Sequence, residues 1–512
     1  MSALAPPTSR DRLAARAVHA LERGGDRLFG AHANPLRQLG ALAVLLFWIA
    51  LGSGAYIYIF YDTSAALAHA SIEALSRDQP WLGGLIRSLH RYSADAFAAV
   101  TALHILREWA LGRYAGFRWF SWVSGVPLLW LALGSGLVGY WLVADTRALF
   151  VATSIAEWAG WLPGFGAGLM RNFITEEAIS DRLFSLLIFL HIGLALFVLL
   201  GLWIHLQRIT HAVTQPQRQL AVSISLALLV LCAVWPALST PPADFSELPL
   251  PVPIDWFYLG VFPLMYATSP GFAWGVVGLG SGLLLILPWT SRKPVPPPAV
   301  VELAHCNGCG RCFDDCPFGA IVLVARNDAR RHAVQAVVEG DACASCGICV
   351  GACPSSTPFR SAQQLVTGID LPAQPLSGFR ERLQQALRAQ PGAQVLFGCD
   401  EGADVSQLAG PGVVTLSLPC SGMLPPAFTE YALRAGASRV IVATCGEHGC
   451  AFRLGGRWTA ERLQGLREPF LRRPSGTVQL IDAPRGEEPL LQRALQTGSA
   501  TPSSPTSEAP HV

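Results

Sequence analysis

The sequence predicts a multidomain chain: an all-α transmembrane four-helix bundle with two further helices, a small cysteine-rich α+β module, and a C-terminal doubly wound α/β domain. Of its 512 residues, 51% are hydrophobic and 14% charged, against roughly 25% charged in an ordinary soluble domain. Of the 13 cysteines, all but one follow residue 300. Helix and strand patterns alternate beyond residue 377. The formal charge of +2 predicts no basic surface for nucleic acid.

Six apolar stretches are long enough to cross a bilayer, which needs about 20 helical residues. They lie near 40–60, 90–111, 121–142, 184–206, 220–238 and 270–288. An Arg-rich amphipathic segment precedes them, and we expect it to lie on the lipid surface of the membrane. Basic residues are concentrated on one side of the six stretches. Both termini and everything beyond residue 290 are therefore expected to face the cytoplasm.

Histidines and glycines repeat at one spacing on the first four of these stretches. His90 and His104 lie 14 residues apart, and so do His191 and His205. Fourteen residues are nearly four helical turns, so the two imidazoles share one helix face about 21 Å apart. Two such helices offer two His–His pairs, each able to hold one haem iron. The neighbouring helices carry glycines at the same spacing, which would leave room for a flat macrocycle: Gly40, Gly54, Gly125 and Gly139.

Ordinary packing is the alternative interpretation of these residues, because single histidines and glycines also serve helix contacts in membranes. Against it, residues 34–210 resemble cytochrome b of the quinol-oxidising complexes, with WLGGLIRSLHRYSADAF, LHILR and GLVGYWLVADTRALFVAT carrying the likeness. The resemblance implies two haem b groups, an outer one held by His90 and His191 and a cytoplasmic one held by His104 and His205. Proteins of this family are often dimers, so a homodimer is one expectation.

The same resemblance implies further cofactor contacts and an outer quinol site. Arg87 and Arg107 match arginines that bind haem propionates, and buried carboxylates do need paired cations. Trp122 matches a tryptophan near the inner haem. Where the family has Pro-Glu-Trp-Tyr, this chain has Asp255 within the stretch PIDWFY, residues 253–258. Asp255 is thus a candidate catalytic acid that accepts a proton from quinol. The alternative is an interfacial aromatic belt with one solvated acid.

A cysteine pattern, C-x2-C-x2-C-x3-C-P, occurs twice within residues 301–358. The segment resembles the bacterial two-cluster ferredoxins, in which the fourth cysteine of each run binds the other cluster. One 4Fe–4S cluster is therefore expected on Cys306, Cys309, Cys312 and Cys353, and a second on Cys343, Cys346, Cys349 and Cys316. Disulfides and zinc are the alternatives. A cytoplasmic location disfavours disulfides, and zinc rarely uses this spacing.

Four more cysteines follow strand patterns in residues 377–497. Strands are predicted at 394–398, 413–418, 439–443 and 478–481, separated by helical patterns. The carboxyl ends of parallel strands are where such folds place ligands. The thiolates expected at that edge are those of Cys399, Cys420, Cys445 and Cys450. Four thiolates suit one 2Fe–2S cluster, and the alternatives are zinc or buried structural cysteine.

The segments LPCSG (418–422) and TCGEHGC (444–450) resemble the delta subunit of methyl-viologen-reducing hydrogenases. That family carries a 2Fe–2S cluster and passes electrons between a dehydrogenase and a heterodisulfide-reductase-type flavoprotein. The resemblance implies a cytoplasmic dehydrogenase, hydrogenase or heterodisulfide-reductase-like flavoprotein as the partner.

These observations give the following segments: an amphipathic surface segment (1–39), a di-haem helix bundle (40–210), two further transmembrane helices (211–290), a Pro-rich linker (291–300), a two-cluster ferredoxin module (301–358), a delta-subunit-like domain (377–497) and a disordered tail (498–512). The expected protein is a multi-pass electron-transfer protein of the prokaryotic inner membrane. It would link its partner to quinone and reduce quinone at the cytoplasmic side, as the quinone-reactive subunit of an oxidoreductase complex. The alternatives are quinol oxidation near Asp255 that feeds low-potential clusters, and a non-catalytic membrane anchor and electron conduit.

Overall fold

The computed structural model describes residues 9–164, 166, 180–244, 252, 254–256, 258–290, 296–328, 332–359, 365–446, 449–471 and 478–497. The predicted tail at 498–512 and the first half of the predicted linker lie outside these residues. The chain divides into two compact units, Met1–Pro294 and Val295–Val512.

The first unit is built from helices. In chain order they are α1 (Ser9–Phe29), α2 (Leu39–Phe60), α3 (Ala68–Asp78), α4 (Leu85–Ala110), α5 (Trp119–Leu142), α6 (Thr146–Gly160), α7 (Asp181–Leu206), α8 (Arg218–Val234), α9 (Val261–Ala267) and α10 (Pro270–Thr290).

Each of the six apolar stretches forms a helix. Within the described residues, four helices are long and apolar enough to cross a membrane, namely α2, α5 with the turn before it, α7 and α10. Helix α8 is apolar but has only 17 residues, and it ends at Val234, short of the predicted residue 238. Helix α4 is long enough, but it carries Arg87, Arg91, Asp95 and Arg107, which reduce its hydropathy. These charged side chains find partners inside the unit, as described below.

Apolar packing brings four of these helices together. Helix α2 packs along α4, and α5 packs along α7. Phe47 of α2, Leu128 of α5 and Val198 of α7 form one buried cluster, against which Phe97 of α4 packs. Other apolar side chains of α7 point outward, and Phe189 is 71% exposed. Exposed apolar side chains on such a helix are expected where lipid covers the surface.

The second unit begins with two short antiparallel ladders. Strand β1 (Val300–Val301) pairs with β4 (Ile369–Asp370), and β2 (Ile321–Ala325) pairs with β3 (Val334–Val338). Helices α11 (Arg311–Asp315) and α12 (Ile348–Ala352) each follow a glycine with a left-handed backbone, Gly310 at φ 79° and Gly347 at φ 76°. A side chain is strained in that conformation, so glycine lets each cysteine loop turn directly into its helix.

A four-stranded parallel sheet forms the rest of the second unit. Its strands are β5 (Gln394–Cys399), β6 (Val413–Leu418), β7 (Arg439–Thr444) and β8 (Val478–Asp482), in the spatial order β6-β5-β7-β8. The accompanying helices are α13 (Leu376–Ala389), α14 (Ala427–Arg434), α15 (Gly455–Leu463) and α16 (Glu488–Gln496). Side chains alternate between the two faces of a strand. Val395 and Phe397 accordingly pack with α13 and α14, whereas Leu396 packs with Leu491 of α16.

A buried carboxylate attaches α1 to the bundle. Glu22 is 2% exposed, and it forms ion pairs with Arg107 of α4 at 2.7 Å and with Arg37 at 3.4 Å. Burial alone would raise the pKa of Glu22. The hydrogen bond from His19 and the charges of Arg107 and Arg37 outweigh burial and lower the pKa to about 2. The predicted surface segment is therefore joined to a bundle helix by charge.

We predict that Glu22→Gln destabilises the first unit by about 3–5 kcal/mol, because two guanidinium groups lose a buried carboxylate. Thermal unfolding in detergent micelles would measure this.

The depressed pKa of Glu22 also gives the stability of the first unit a pH dependence. The contribution of Glu22 is complete above its ordinary pKa of 4.5 and disappears as the pH falls towards 2. The variant should lack that dependence. Asp78→Asn is the control, since Asp78 is itself exposed and forms an ion pair with exposed Arg77. Equal melting temperatures for both variants would contradict the prediction.

Candidate electron-transfer sites

The four histidines lie as two pairs between α4 and α7. The ring centres of His90 and His191 are 6.1 Å apart, with the rings at 71° to each other. A metal–imidazole bond is about 2 Å long, so this separation leaves room for one metal atom between the two rings. His104 and His205 form the second pair, close enough to interact electrostatically. The structure thus pairs the histidines as the 14-residue spacing predicts.

Backbone and hydroxyl oxygens orient three of the imidazoles through their Nδ1 atoms. Nδ1 of His90 lies 2.9 Å from the carbonyl oxygen of Ala50, and Nδ1 of His191 lies 2.9 Å from that of Ser135. Nδ1 of His205 lies 3.0 Å from Oγ of Ser124. A hydrogen bond at Nδ1 fixes the ring and leaves Nε2 for a metal. This geometry suits bis-imidazole ligation of haem.

One glycine stands beside each histidine. A Cβ atom added to Gly54 would lie 2.9 Å from Cε1 of His90, and one added to Gly139 would lie 3.0 Å from Cε1 of His191. Gly40 faces His104 and Gly125 faces His205 at 3.5 and 3.4 Å. The spacing predicts that the glycines make room for a macrocycle, and this stays a prediction. The contacts show that the glycines make room for the imidazole rings.

The two predicted propionate arginines contact protein carboxylates. Arg87 donates to Glu73 at 2.9 Å, and Arg107 pairs with Glu22 and with Glu108. The indole nitrogen of Trp122 donates to the carbonyl oxygen of Leu284 at 2.7 Å, which joins α5 to α10. Their roles at the haems stay predictions.

Asp255 is largely buried, with 10% of its side chain exposed, and it forms an ion pair with Arg91 at 2.5 Å. The hydroxyl of Tyr140 donates to the same carboxylate. It is therefore not the solvated acid of the alternative interpretation. Residues 253 and 257 of the surrounding motif lie outside the described residues. Sequence reasoning missed Arg91 and Asp95, which form an i,i+4 pair at 3.3 Å next to His90. Charged residues inside an apolar helix were the available signal.

The ferredoxin-like cysteines separate into two groups. In group I, four cysteines line one small cavity: Cys306, Cys309, Cys312 and Cys353. Burial raises the pKa of Cys312 to about 12, and the neighbouring thiols of Cys353, Cys309 and Cys306 add to the rise. In group II, the buried thiols of Cys346 and Cys349 interact with those of Cys343 and Cys316, and burial again raises their pKa. The fourth cysteine of each run therefore lies with the other run.

The C-terminal cysteines form group III, whose four thiols are buried. Cys399 shares thiol hydrogen bonds with Cys420 and Cys445, and Cys450 shares them with the same two residues. These bonds lower the pKa of Cys399 and Cys450 and raise the pKa of Cys420 and Cys445. The strand ends bring the thiols together, since Cys399 ends β5, Cys445 follows β7 and Cys420 follows β6 by two residues.

In a 4Fe–4S cluster each of four thiolates binds a different iron atom, whereas in a 2Fe–2S cluster two thiolates bind each iron atom. Within the described part of the chain, no three His, Cys, Asp or Glu side chains are arranged to hold one metal ion. The ring of four thiols in group III and the cavity lined by group I fit ligands of clusters.

Three family models match successive parts of the chain. Cytochrome b/b6/petB matches residues 26–213, the 4Fe-4S dicluster domain matches 305–357, and the methyl-viologen-reducing hydrogenase delta subunit matches 398–472. The protein is thus a membrane protein of the electron-transfer class, with haem b and iron–sulfur clusters implied by its parts. All three resemblances read from the motifs are confirmed within one chain, which joins a cytochrome b segment to the two iron–sulfur segments.

Curated relatives match the first unit. Cytochrome b of Akanthomyces muscarius is 33% identical over 173 residues, which are 33% of this chain and 45% of the relative. Cytochrome b6 of Heliobacterium mobile is 28% identical over 163 residues, covering 32% of this chain and 76% of the relative. The chain therefore spans less than half of the first relative's length. A solved structure titled "Hyperthermophilic respiratory Complex III" matches 49% of this chain and 74% of its own, at 19% identity and a TM-score of 0.40.

We predict that Gly54→Val removes about half of the bound haem, because the new side chain would displace the His90 ring from its pair. Pyridine-haemochrome assay and Soret absorbance of purified protein measure this directly. Gly52→Val is the matched control on the same helix, since a Cβ at Gly52 would meet no atom within 4 Å. Full haem content in the Gly54 variant would contradict the assignment of His90 as a ligand.

Proposed function

We propose that this chain is the quinone-reactive subunit of a membrane oxidoreductase complex, in the inner membrane of a prokaryote. It links a cytoplasmic redox partner to quinone and reduces quinone at the cytoplasmic side. The observation that carries the proposal is the presence, in one chain, of two histidine pairs in an apolar bundle and three cysteine groups. The concentration of basic residues on one side of the apolar helices supports the cytoplasmic orientation.

The proposed cofactor set is two haem b groups, two 4Fe–4S clusters and one 2Fe–2S cluster, which supply one-electron transfer when bound. His90 and His191 would hold one haem, and His104 and His205 the other. Groups I and II would hold the two 4Fe–4S clusters, and group III, in a doubly wound α/β domain, the 2Fe–2S cluster. Zinc in group III is the competing proposal.

The contacts of these residues define what the chain itself does. Oxygen atoms at Nδ1 orient His90, His191 and His205, and the apolar helices exclude water from the pairs. Burial raises the pKa of Cys346 and Cys349 in group II, and thiol hydrogen bonds raise the pKa of Cys420 and Cys445 in group III, so cluster binding must displace protons from these thiols. The delta-subunit resemblance supports docking of a dehydrogenase, hydrogenase or heterodisulfide-reductase-like flavoprotein at the second unit. A homodimer stays a prediction.

The contacts of Asp255 argue against quinol oxidation at this carboxylate, and so favour the proposed quinone reduction at the cytoplasmic side. Its oxygen atoms already accept bonds from Arg91 and Tyr140. Protonation would remove the negative charge that Arg91 pairs with, and a buried ion pair that loses one charge is costly. A carboxylate held in this way is a poor proton acceptor for quinol. The alternative function still has this residue as its candidate acid, so a variant can separate the two.

We predict that quinone reoxidises the haems of dithionite-reduced protein, and that Asp255→Asn changes the rate by no more than about twofold. Stopped-flow absorbance of the α-band in proteoliposomes is the measurement. Under the quinol-oxidation alternative, this variant should block electron exchange with quinone. Tyr140→Phe is the companion variant, because it removes one bond to Asp255 and keeps the charge. Haems that never reoxidise in wild-type protein would leave only the conduit function.

We predict about twelve iron atoms and no zinc per chain, whereas zinc in group III would give about ten iron atoms and one zinc atom. Elemental analysis of anaerobically purified protein tests this. Cys399→Ser should remove about two iron atoms while the haem content is unchanged. Cys232→Ser is the control, since Cys232 lies on α8 in the first unit, outside all three groups. Zinc bound in wild-type protein and lost in Cys399→Ser would contradict the 2Fe–2S proposal.

A further inference from the structure

Group II lies next to both other cysteine groups. Cys312 of group I packs against the apolar cluster that contains Cys349 of group II. Cys346 and Cys420 also share a buried apolar cluster with Ile348, Leu454 and Trp458. These contacts place group II between the other two.

Three glycines permit the close approach of groups II and III. A Cβ atom on Gly351 of α12 would lie 2.1 Å from the carbonyl oxygen of Gly422. One on Gly422 would lie 2.9 Å from Ile348, and one on Gly455 would lie 2.0 Å from Sγ of Cys420. No side chain fits at these positions, so the backbone of α12 at Gly351 meets the backbone of the group III loop at Gly422, and Gly455 of α15 packs against the thiol of Cys420.

A buried arginine spans this contact. The side chain of Arg462 on α15 is 1% exposed. It donates to the carbonyl oxygens of Gly422 at 2.8 Å and of Ile348 at 3.4 Å. Ile348 lies between two cysteines of group II, whereas Gly422 lies two residues after Cys420 of group III. One guanidinium group therefore bonds to the loops of both groups.

Arg462 belongs to a charged network that carries an excess of positive charge. Arg462 forms an ion pair with Asp315, which precedes Cys316 of group II. Asp315 also pairs with Arg467 at 2.5 Å, and Arg467 pairs in turn with Glu461 at 2.8 Å, which Arg457 contacts as well. The network therefore holds three arginines and two carboxylates, an excess of one positive charge. The charge of Arg462 also interacts with Cys420. Positive charge near a cluster stabilises its reduced form, and net charge and hydrogen bonding are known controls of cluster potential.

We propose that Arg462 is a positioning residue for electron transfer, which holds group II against group III and raises the reduction potentials of both sites. This inference rests on the proposed function, because it takes clusters to be bound at the three groups. Group II is then the intermediate in a serial order of I, II and III. Each transfer moves one electron, so that the donor site is oxidised and the acceptor site reduced by one equivalent, with dithionite or the redox partner as the source.

The test uses full-length protein with its cofactors, titrated with dithionite and followed by EPR. Arg462→Met removes the charge but keeps a side chain of similar length. It should lower the midpoint potentials of groups II and III and leave the midpoint potential of group I unchanged. It should also weaken the spin–spin interaction between the group II and group III signals. Asp315→Asn removes the compensating charge at similar shape, so it should shift the same two potentials upward. Arg457→Met is the matched control, because it removes a charge from the same helix and the same network at a site that is 53% exposed, where solvent screens it.

The two variants are expected to shift the midpoint potentials in opposite directions, which a general loss of stability would not do. Potentials and spin–spin interaction that match wild type in both variants, with only a lower melting temperature, would overturn the inference and leave Arg462 a purely structural residue. Loss of the same clusters in both variants, with Arg457→Met fully loaded, would also overturn it. If wild-type protein shows no iron signal from group III, the proposed cofactor set fails, and the inference fails with it. If wild-type protein shows all the cluster signals and the variants leave the potentials unchanged, the inference fails while the proposed cofactor set stands.

Discussion

The contact between a glycine and an imidazole, repeated four times, is the constraint on which the first unit depends. Helix α2 can pack along α4 only because Gly40 and Gly54 leave space for His104 and His90. Helix α5 packs along α7 under the same condition. A side chain at any of these positions would separate the helices or turn the ring away from its partner. The helix packing and the ligand geometry are therefore one arrangement, and neither can change without the other.

The fold of the second unit depends on bringing cysteine thiols together. Twelve cysteines have to converge in three places without forming disulfides, and all of them are free thiols. The spacing of each ferredoxin-like run brings three thiols to one loop, and the fourth lies with the other run. Parallel strands bring the remaining four to one sheet edge. Burial raises the pKa of several of these thiols, so the folded chain with protonated cysteines differs in charge from the chain with bound metal. Binding of the proposed clusters would therefore be coupled to folding and to the release of protons.

Local spacing made much of this predictable. The four histidines, the four glycines and the two ferredoxin-like runs each repeat over short distances, so helix geometry or loop geometry fixes which residues meet. Asp255 and Arg91 meet across 164 residues, and Arg462 and Asp315 across 147. No periodicity connects such pairs, because their contact depends on how separate elements pack. The same holds for Arg107, which the family resemblance assigns to a propionate and which also fixes α1 through Glu22.

The unequal exposure of the cysteines in group I has a consequence for handling the protein. Cys309 is exposed, whereas the four thiols of group III and three of those in group II are buried. Dioxygen and chelators reach an exposed thiolate first. If the proposed clusters are bound, oxidation in air would therefore begin at group I, and a preparation left in air would lose the absorbance of that site before the absorbance of groups II and III.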